Sequence, residues 1–253
     1  MGNITALSES LWRHHHQRNQ TISLGIIDCP KLIGELPRQL SSLQRLEIGG
    51  CHKLVLPNGQ LGIFQGDVKQ FSSLSVLKIS WMENLKELCR ELNKLASPEY
   101  LEIYNCGFIL PFPMSYLPAS LKTLVCDTCR NLELESETWQ SGSLESLGLN
   151  GCRSLKALSL GSFHILTEIS PSNCTKLEQM EALLPSLRYL SIYDCPEIEY
   201  FSEEGLPSGI QSLVKLCSKK NLKMLSCSGL GNLTSLENLK ISFCIRLLSL
   251  PED

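Results

Sequence analysis

Twelve cysteines in a chain of 253 residues are the first feature that could do chemistry. Thiols in that number can form disulfides, hold a metal or act as nucleophiles, and their spacing and compartment decide which. A disulfide framework needs a secreted chain. The first thirty residues place Trp12, Arg13, the triplet His14, His15 and His16, and then Arg18 where a signal peptide would carry an apolar run. Reduced thiols and a cytoplasmic location are the expectation. Cys126 and Cys129 form a CxxC, but no second CxxC follows to complete a four-thiolate zinc site, so core packing is expected instead. The three leader histidines could chelate a metal and are expected to be solvated. His52 and His164 lie far from any Asp or Ser constellation, which leaves a hydrolytic triad without support. Glu133, Glu135 and Glu137 alternate as a solvated face does. Asn3, Asn19, Asn173 and Asn232 begin N-x-[ST] sequons that are expected to be unmodified without a secretion signal. No enzymatic activity, cofactor or metal is expected.

The elements that position these residues emerge from a period. Aligned on cysteine, the chain gives Leu43, Leu46, Ile48, Cys51, Leu54; Leu144, Leu147, Leu149, Cys152, Leu155; Leu187, Leu190, Ile192, Cys195, Ile198; and Leu236, Leu239, Ile241, Cys244, Leu247. The pattern is LxxLxIxxCxxL, and weaker copies fill the gaps. Anchors at 29, 51, 82, 106, 129, 152, 174, 195, 218 and 244 are 21 to 31 residues apart, so about ten repeats cover residues 21 to 253. Eight of the 12 cysteines sit on the anchor. Leucine, about a fifth of the residues, supplies the rest of the pattern.

This is a leucine-rich-repeat signature, in which leucines alternate at period two along a strand and the Cys position lies in the turn that leaves it. One repeat cannot bury enough apolar surface to order itself, so neighbours must stack. The expected fold is an α/β-type solenoid, a horseshoe with a parallel β-sheet on its concave side and mostly irregular or short-helical connections on its convex side. Ten strands at about 4.8 Å each give an inner face about 45 Å long, a size suited to a macromolecular partner. Residues 1–20 do not fit the repeat and read as an irregular leader. The long step between anchors 51 and 82, with Gly59, Gly62 and Gly66, is expected to hold an insertion loop near 58–70.

Charge narrows the partners. With 23 basic and 26 acidic residues the chain carries a formal charge of −3 and no basic run, which argues against nucleic acid. The longest apolar patch, Cys106 to Met114, is broken by Pro111 and Pro113 and is too short to span a bilayer. A protein is the expected partner.

Particular phrases carry a family likeness. SLQRLEIGGCHKLVLP from Ser42, NLTSLENLKISFCIRLLSLPED at the C-terminus and above all PSLRYLSIYDCPEIEYFSEEGLPSGIQSL, residues 185 to 213, resemble the repeat domain of plant nucleotide-binding leucine-rich-repeat immune receptors of the coiled-coil class. The resemblance spans the chain from residue 21. It implies a surface that senses a pathogen effector or a guarded host protein, or one that restrains the receptor's own nucleotide-binding domain. The GxxxxGK[ST] motif of that nucleotide-binding domain is absent, so the chain reads as a fragment that does not itself bind nucleotide. The repeat arm of an F-box ubiquitin ligase is the alternative, since such arms share LxxLxLxxCxxL; here the cysteine segment runs on toward LxxLP instead.

Core leucines are explained by packing, which leaves the solvent-facing strand positions as recognition candidates. Lys78, Trp81, Tyr100, Glu102, Tyr104, Tyr189, Tyr193, Lys240 and Phe243 are the expected partner-binding residues. Aromatic side chains flanked by charge are what protein-interface hot spots are enriched in.

Overall fold

Period-two alternation puts each repeat's leucines on one side of a strand and its polar residues on the other. The computed structural model describes residues 22–33, 36, 40–64, 68–88, 90–109, 116–132, 142–160, 163–181, 184–198, 206–216 and 233–243. Its strands are β1 (Ile22–Ile27), β2 (Leu43–Gly49), β3 (Val76–Ser80), β4 (Tyr100–Tyr104), β5 (Thr123–Asp127), β6 (Ser146–Asn150), β7 (Ala157–Ser159), β8 (Glu168–Ser172), β9 (Gln179–Glu181), β10 (Tyr189–Tyr193), β11 (Ser212–Leu216) and β12 (Asn238–Ser242). Ten of them form one sheet in the order β1-β2-β3-β4-β5-β6-β8-β10-β11-β12, and β7 pairs with β9 separately. Each pairing is parallel, and each anchor of the sequence pattern follows one strand of the large sheet. This is the leucine-rich-repeat solenoid.

Register carries the core from one repeat to the next. Leu46 pairs with Leu77, Leu77 with Leu101, Leu101 with Leu124, and Leu124 with Leu147. These residues belong to one continuous hydrophobic core. Pro171 is buried two residues further along, in the second core row, opposite Leu149. Proline cannot donate to a ladder, and the β8–β10 pairing runs through Ile169 with Leu190 and resumes only at Ser172 with Tyr193.

Among the described residues the connections between strands of the large sheet are mostly turns and irregular segments. Those described carry 3₁₀ turns at His52–Leu54, Gly62–Phe64, Val68–Phe71 and Arg90–Lys94. The stretch expected to hold an insertion is rooted in the core: the Phe64 and Phe71 rings are buried 5.4 Å apart, and Val55 makes an antiparallel bridge to Leu61.

Cysteine and serine tie the two ends of the strands. At the strand exit, the Cys51 thiol donates to the Ile26 carbonyl of the preceding repeat (3.4 Å). Cys129, Cys152 and Cys174 repeat the bond to Ile103, Cys126 and Leu149, each at 3.6 Å. At the strand start, hydroxyls of Ser97, Ser120 and Ser186 donate to Ser72, Pro98 and Leu166 carbonyls of the repeat before, at 2.6 to 2.8 Å. A small side chain with one donor thus links successive levels of the stack.

Cys126 and Cys129 are both fully buried in core positions, as the repeat register requires. Burial raises the thiols of Cys51 and Cys106, the latter to about 12. The hydrogen bond with Cys129, and then burial, keep Cys126 well above the ordinary thiol value. Protonated buried thiols are poor nucleophiles. The leader histidines and Glu133, Glu135 and Glu137, like the sequons at Asn3, Asn19 and Asn232, lie outside the described residues. Asn173 is described, and its side-chain amide donates to Asn150 Oδ1 at 2.8 Å.

Candidate functional site

The open face of the sheet is lined by the alternate residues that the core does not use. Reading across strands gives three rows. The first runs Arg45, Val76, Tyr100, Thr123, Ser146, Glu168, Tyr189, Ser212, Asn238. Glu47, Lys78, Glu102, Val125, Gly148 and Ser170 follow one another in the second, and Gly49, Ser80, Tyr104, Asp127, Asn150, Ser172 and Tyr193 in the third.

Lys78, Tyr100 and Glu102 are brought together on β3 and β4. Lys78 pairs with Glu102, the Tyr100 hydroxyl donates to Glu102 Oε2 at 2.9 Å, and Lys78 Nζ lies 5.4 Å from the Tyr100 ring centroid. On β2, Arg45 and Glu47 approach to 3.7 Å. Burial would raise the Glu102 carboxyl, but hydrogen bonds from Lys78 and Tyr100 and the charges of Lys78 and Arg45 outweigh it and hold the group below the ordinary carboxylate value. Burial, followed by the bond to Glu102 and its charge, pushes Tyr100 up to about 12, with Arg45 opposing. The network is half-buried and internally paired, so it presents a fixed pattern of charge.

Trp81 and Tyr104 form the second grouping. Their rings are 5.5 Å apart at 73°, edge to face, and Trp81 is 51% exposed. Such a pair is held by ring quadrupoles as well as by burial. Tyr189 and Tyr193, exposed at the two ends of β10, stand apart from this grouping, separated by β5, β6 and β8. Lys240 lies farther on, exposed on β12 beside Val214 of β11, and Phe243 follows that strand with 78% of its surface exposed. The nine residues therefore fall into a cluster on β3–β4 and two outlying sets.

One placement differs from the sequence reading. Trp81 and Phe243, read as strand positions, lie in the turn after their strands with φ of 52° and 56°. This belongs to a row that the leucine pattern did not reveal. The residue before the anchor has positive φ in nine repeats: Asp28, Gly50, Trp81, Asn105, Thr128, Gly151, Asn173, Asp194 and Phe243. Backbone N–H groups of this row continue the ladder, as from Trp81 to the Tyr104 carbonyl (3.0 Å) and from Asn105 to Asp127 (2.8 Å). Left-handed backbone favours Gly, Asn and Asp, and six of the nine are of those types. The run of Asp, Gly and Asn before the cysteine was the signal that could have exposed the row. Trp81, Thr128 and Phe243 hold the conformation against their own preference.

Comparisons with known proteins agree with the geometry. No family model matches the chain. It is 26% identical over 223 residues to the protein SUPPRESSOR OF npr1-1, CONSTITUTIVE 1 of Arabidopsis thaliana, and 29% identical over 224 residues to a putative disease resistance protein of the same plant. Each match takes in 78% of the chain. A third relative, disease resistance protein RPS4B of Arabidopsis thaliana, is 23% identical over 71% of the chain. The chain spans only 15 to 18% of the length of these relatives. Among solved structures, the leucine-rich repeat domain of the type III effector XCV3220 (XopL) superposes with a TM-score of 0.59 at 18% identity, covering 87% of this chain and 76% of that one. Its likeness is one of fold. With ten strands in register and these relatives over most of its length, the chain is a leucine-rich-repeat domain related to plant disease resistance proteins.

Proposed function

We propose that the chain is a non-catalytic protein-recognition module acting in plant defence. Its partner is a protein: a pathogen effector, a guarded host protein, or the nucleotide-binding domain of a receptor that carries these repeats. The observation that carries this reading is the segregation of side chains. Among the described residues leucine and cysteine mostly serve the core, whereas Lys78, Tyr100, Glu102 and Tyr104 converge on the exposed side of adjacent strands, with Trp81 at their rim. Aromatic anchors beside an ordered charge pattern supply affinity and register at protein interfaces. Tyr189 and Tyr193, with Lys240 and Phe243 beyond them, give the same face further contact points for a large partner. The relatives' names support defence as the setting. No helix among the described residues is long and apolar enough to cross a membrane.

The test is a double substitution, Tyr104→Ala with Tyr193→Ala, which removes two aromatic anchors without touching the core. Binding to a partner isolated with the wild-type chain should weaken while the unfolding transition stays in place. Wild-type affinity in the double variant would reject this face as the recognition surface.

A further inference from the structure

The turn row after the strands holds a notch that the open-face residues do not account for. Three successive repeats build it. Asp28, Gly50 and Trp81 contribute the left-handed residue, and Pro30, His52 and Glu83 contribute the residue two positions later. The space between them is about 330 Å³. Glycine makes the notch: a Cβ at Gly50, whose φ is +63°, would lie 2.5 Å from Asp28 Oδ1. The Asp28 carboxylate therefore lies against the bare backbone of Gly50.

The lining has one chemical sense. It offers two carboxylates, an indole and an imidazole, and among the described residues no Lys or Arg lines it. His52 Nδ1 is buried without a hydrogen-bond partner among the described residues, an uncommon state for a buried polar atom. Trp81 stays half exposed although the Tyr104 ring meets it edge to face, and its backbone takes a conformation that suits Asp or Gly. Strain of that kind persists where the surroundings enforce it, and it concentrates at functional positions.

We infer that this notch receives an arginine side chain from an exposed segment of a partner protein. A guanidinium stacks on an indole face and forks two N–H groups toward each carboxylate, which a compact ammonium cannot do. The site lies on the turn row, at the rim of the open face, and shares Trp81 with the β3–β4 cluster. It rests on the recognition reading in taking a protein partner.

A titration of the full chain tests it, with the Trp81 indole N–H resonance as the readout, assigned by Trp81→Phe. The probe is the peptide acetyl-Gly-Arg-Gly-amide, compared with lysine and citrulline versions. The arginine peptide should move the indole signal to saturation, the lysine peptide should bind at least fivefold more weakly, and citrulline, the neutral isostere, should leave it in place. Asp28→Asn with Glu83→Gln should weaken arginine binding at least tenfold. Gly50→Asn tolerates the left-handed backbone and fills the notch, so it should abolish the shift in a chain whose remaining spectrum is unchanged. If Gly50→Asn unfolds the chain, the carboxylate pair decides. An absent or non-saturating shift, an equal shift with citrulline, or unchanged binding in the carboxylate variant overturns the proposal. Tyr193→Ala leaves the titration unchanged whether or not the open face binds a partner, so the two readings fail separately.

Discussion

Strands β2–β4 and strands β5, β6 and β8 share one core and differ on the face they leave open. Behind both runs the buried positions are nearly alike: Leu46, Leu77 and Leu101 in the first, Leu124, Leu147 and Ile169 in the second. In front, the first run carries Arg45, Glu47, Lys78, Tyr100, Glu102 and Tyr104 among its nine positions, whereas the second, Thr123, Val125, Asp127, Ser146, Gly148, Asn150, Glu168, Ser170 and Ser172, has no aromatic residue and no cation. Stacking is thus written on one set of alternate residues, and the proposed recognition face on the other set of the same strands. One set repeats because each repeat must match its neighbour; the other is released from that demand and can gather aromatic and charged groups in one place.

The comparison can be broken first at the core. Leu101→Ala and Leu147→Ala should each lose about 2–5 kcal/mol of stability, because both leave a cavity in a packed interior. Urea midpoints that fall together support a common core; a large loss in one run only would show that the two are built differently. Next comes the open face. Trp81→Ala or Tyr104→Ala should cost about 2 kcal/mol of partner binding, roughly thirtyfold, as a hot-spot residue does. Ser146→Ala and Ser170→Ala should change the same affinity less than about twofold, since small peripheral residues contribute little. Calorimetry with an isolated partner compares all four.

Smaller effects sharpen the contrast. Thr128→Gly should raise stability by about 1 kcal/mol, because glycine adopts left-handed backbone without the penalty of a β-carbon, whereas Trp81→Gly gains that relief but gives up the Tyr104 ring contact and should gain less. Only Trp81→Gly should also weaken binding, which separates strain kept for display from strain without that use. Tyr100→Phe should remove the tyrosine that titrates near 12, visible as a lost step in the ultraviolet titration. The linked signs are opposite. Stability held by the lowered Glu102 carboxyl is present above its unfolded pKa and is lost as pH falls through the folded one. Stability held by neutral Tyr100 is present at neutral pH and declines as pH rises from the unfolded tyrosine value toward 12.

Much of the fold was legible because leucine, isoleucine and cysteine recur at spacings that only a stacked strand and turn can use. The pairing of Leu77 with Leu101 and the burial of Cys129 follow from that recurrence. Even the repeat with Pro171 keeps Ile169 and Cys174 at the positions of the pattern. What the pattern could not convey was three-dimensional choice among exposed residues. Lys78 and Glu102 are 24 positions apart in sequence and meet only because adjacent strands align in register. Trp81 looked like one more face residue, whereas a positive φ turns it to the rim, beside Gly50 and Asp28. Backbone sign is carried weakly by sequence, through a preference for Asp, Asn and Gly that Trp81 and Phe243 ignore.

The central claim is that partners are recognised on the β3–β4 face. Hydroxyl-radical footprinting of the chain, free and bound to a partner isolated with it, tests that claim most directly. Phe108 and Ile165 serve as internal controls, since both are exposed in connections outside the strands. The account predicts that oxidation of Trp81 and Tyr104 falls several-fold on binding while Phe108 and Ile165 are unaffected. Protection of Phe108 and Ile165 with Trp81 and Tyr104 unchanged would contradict it.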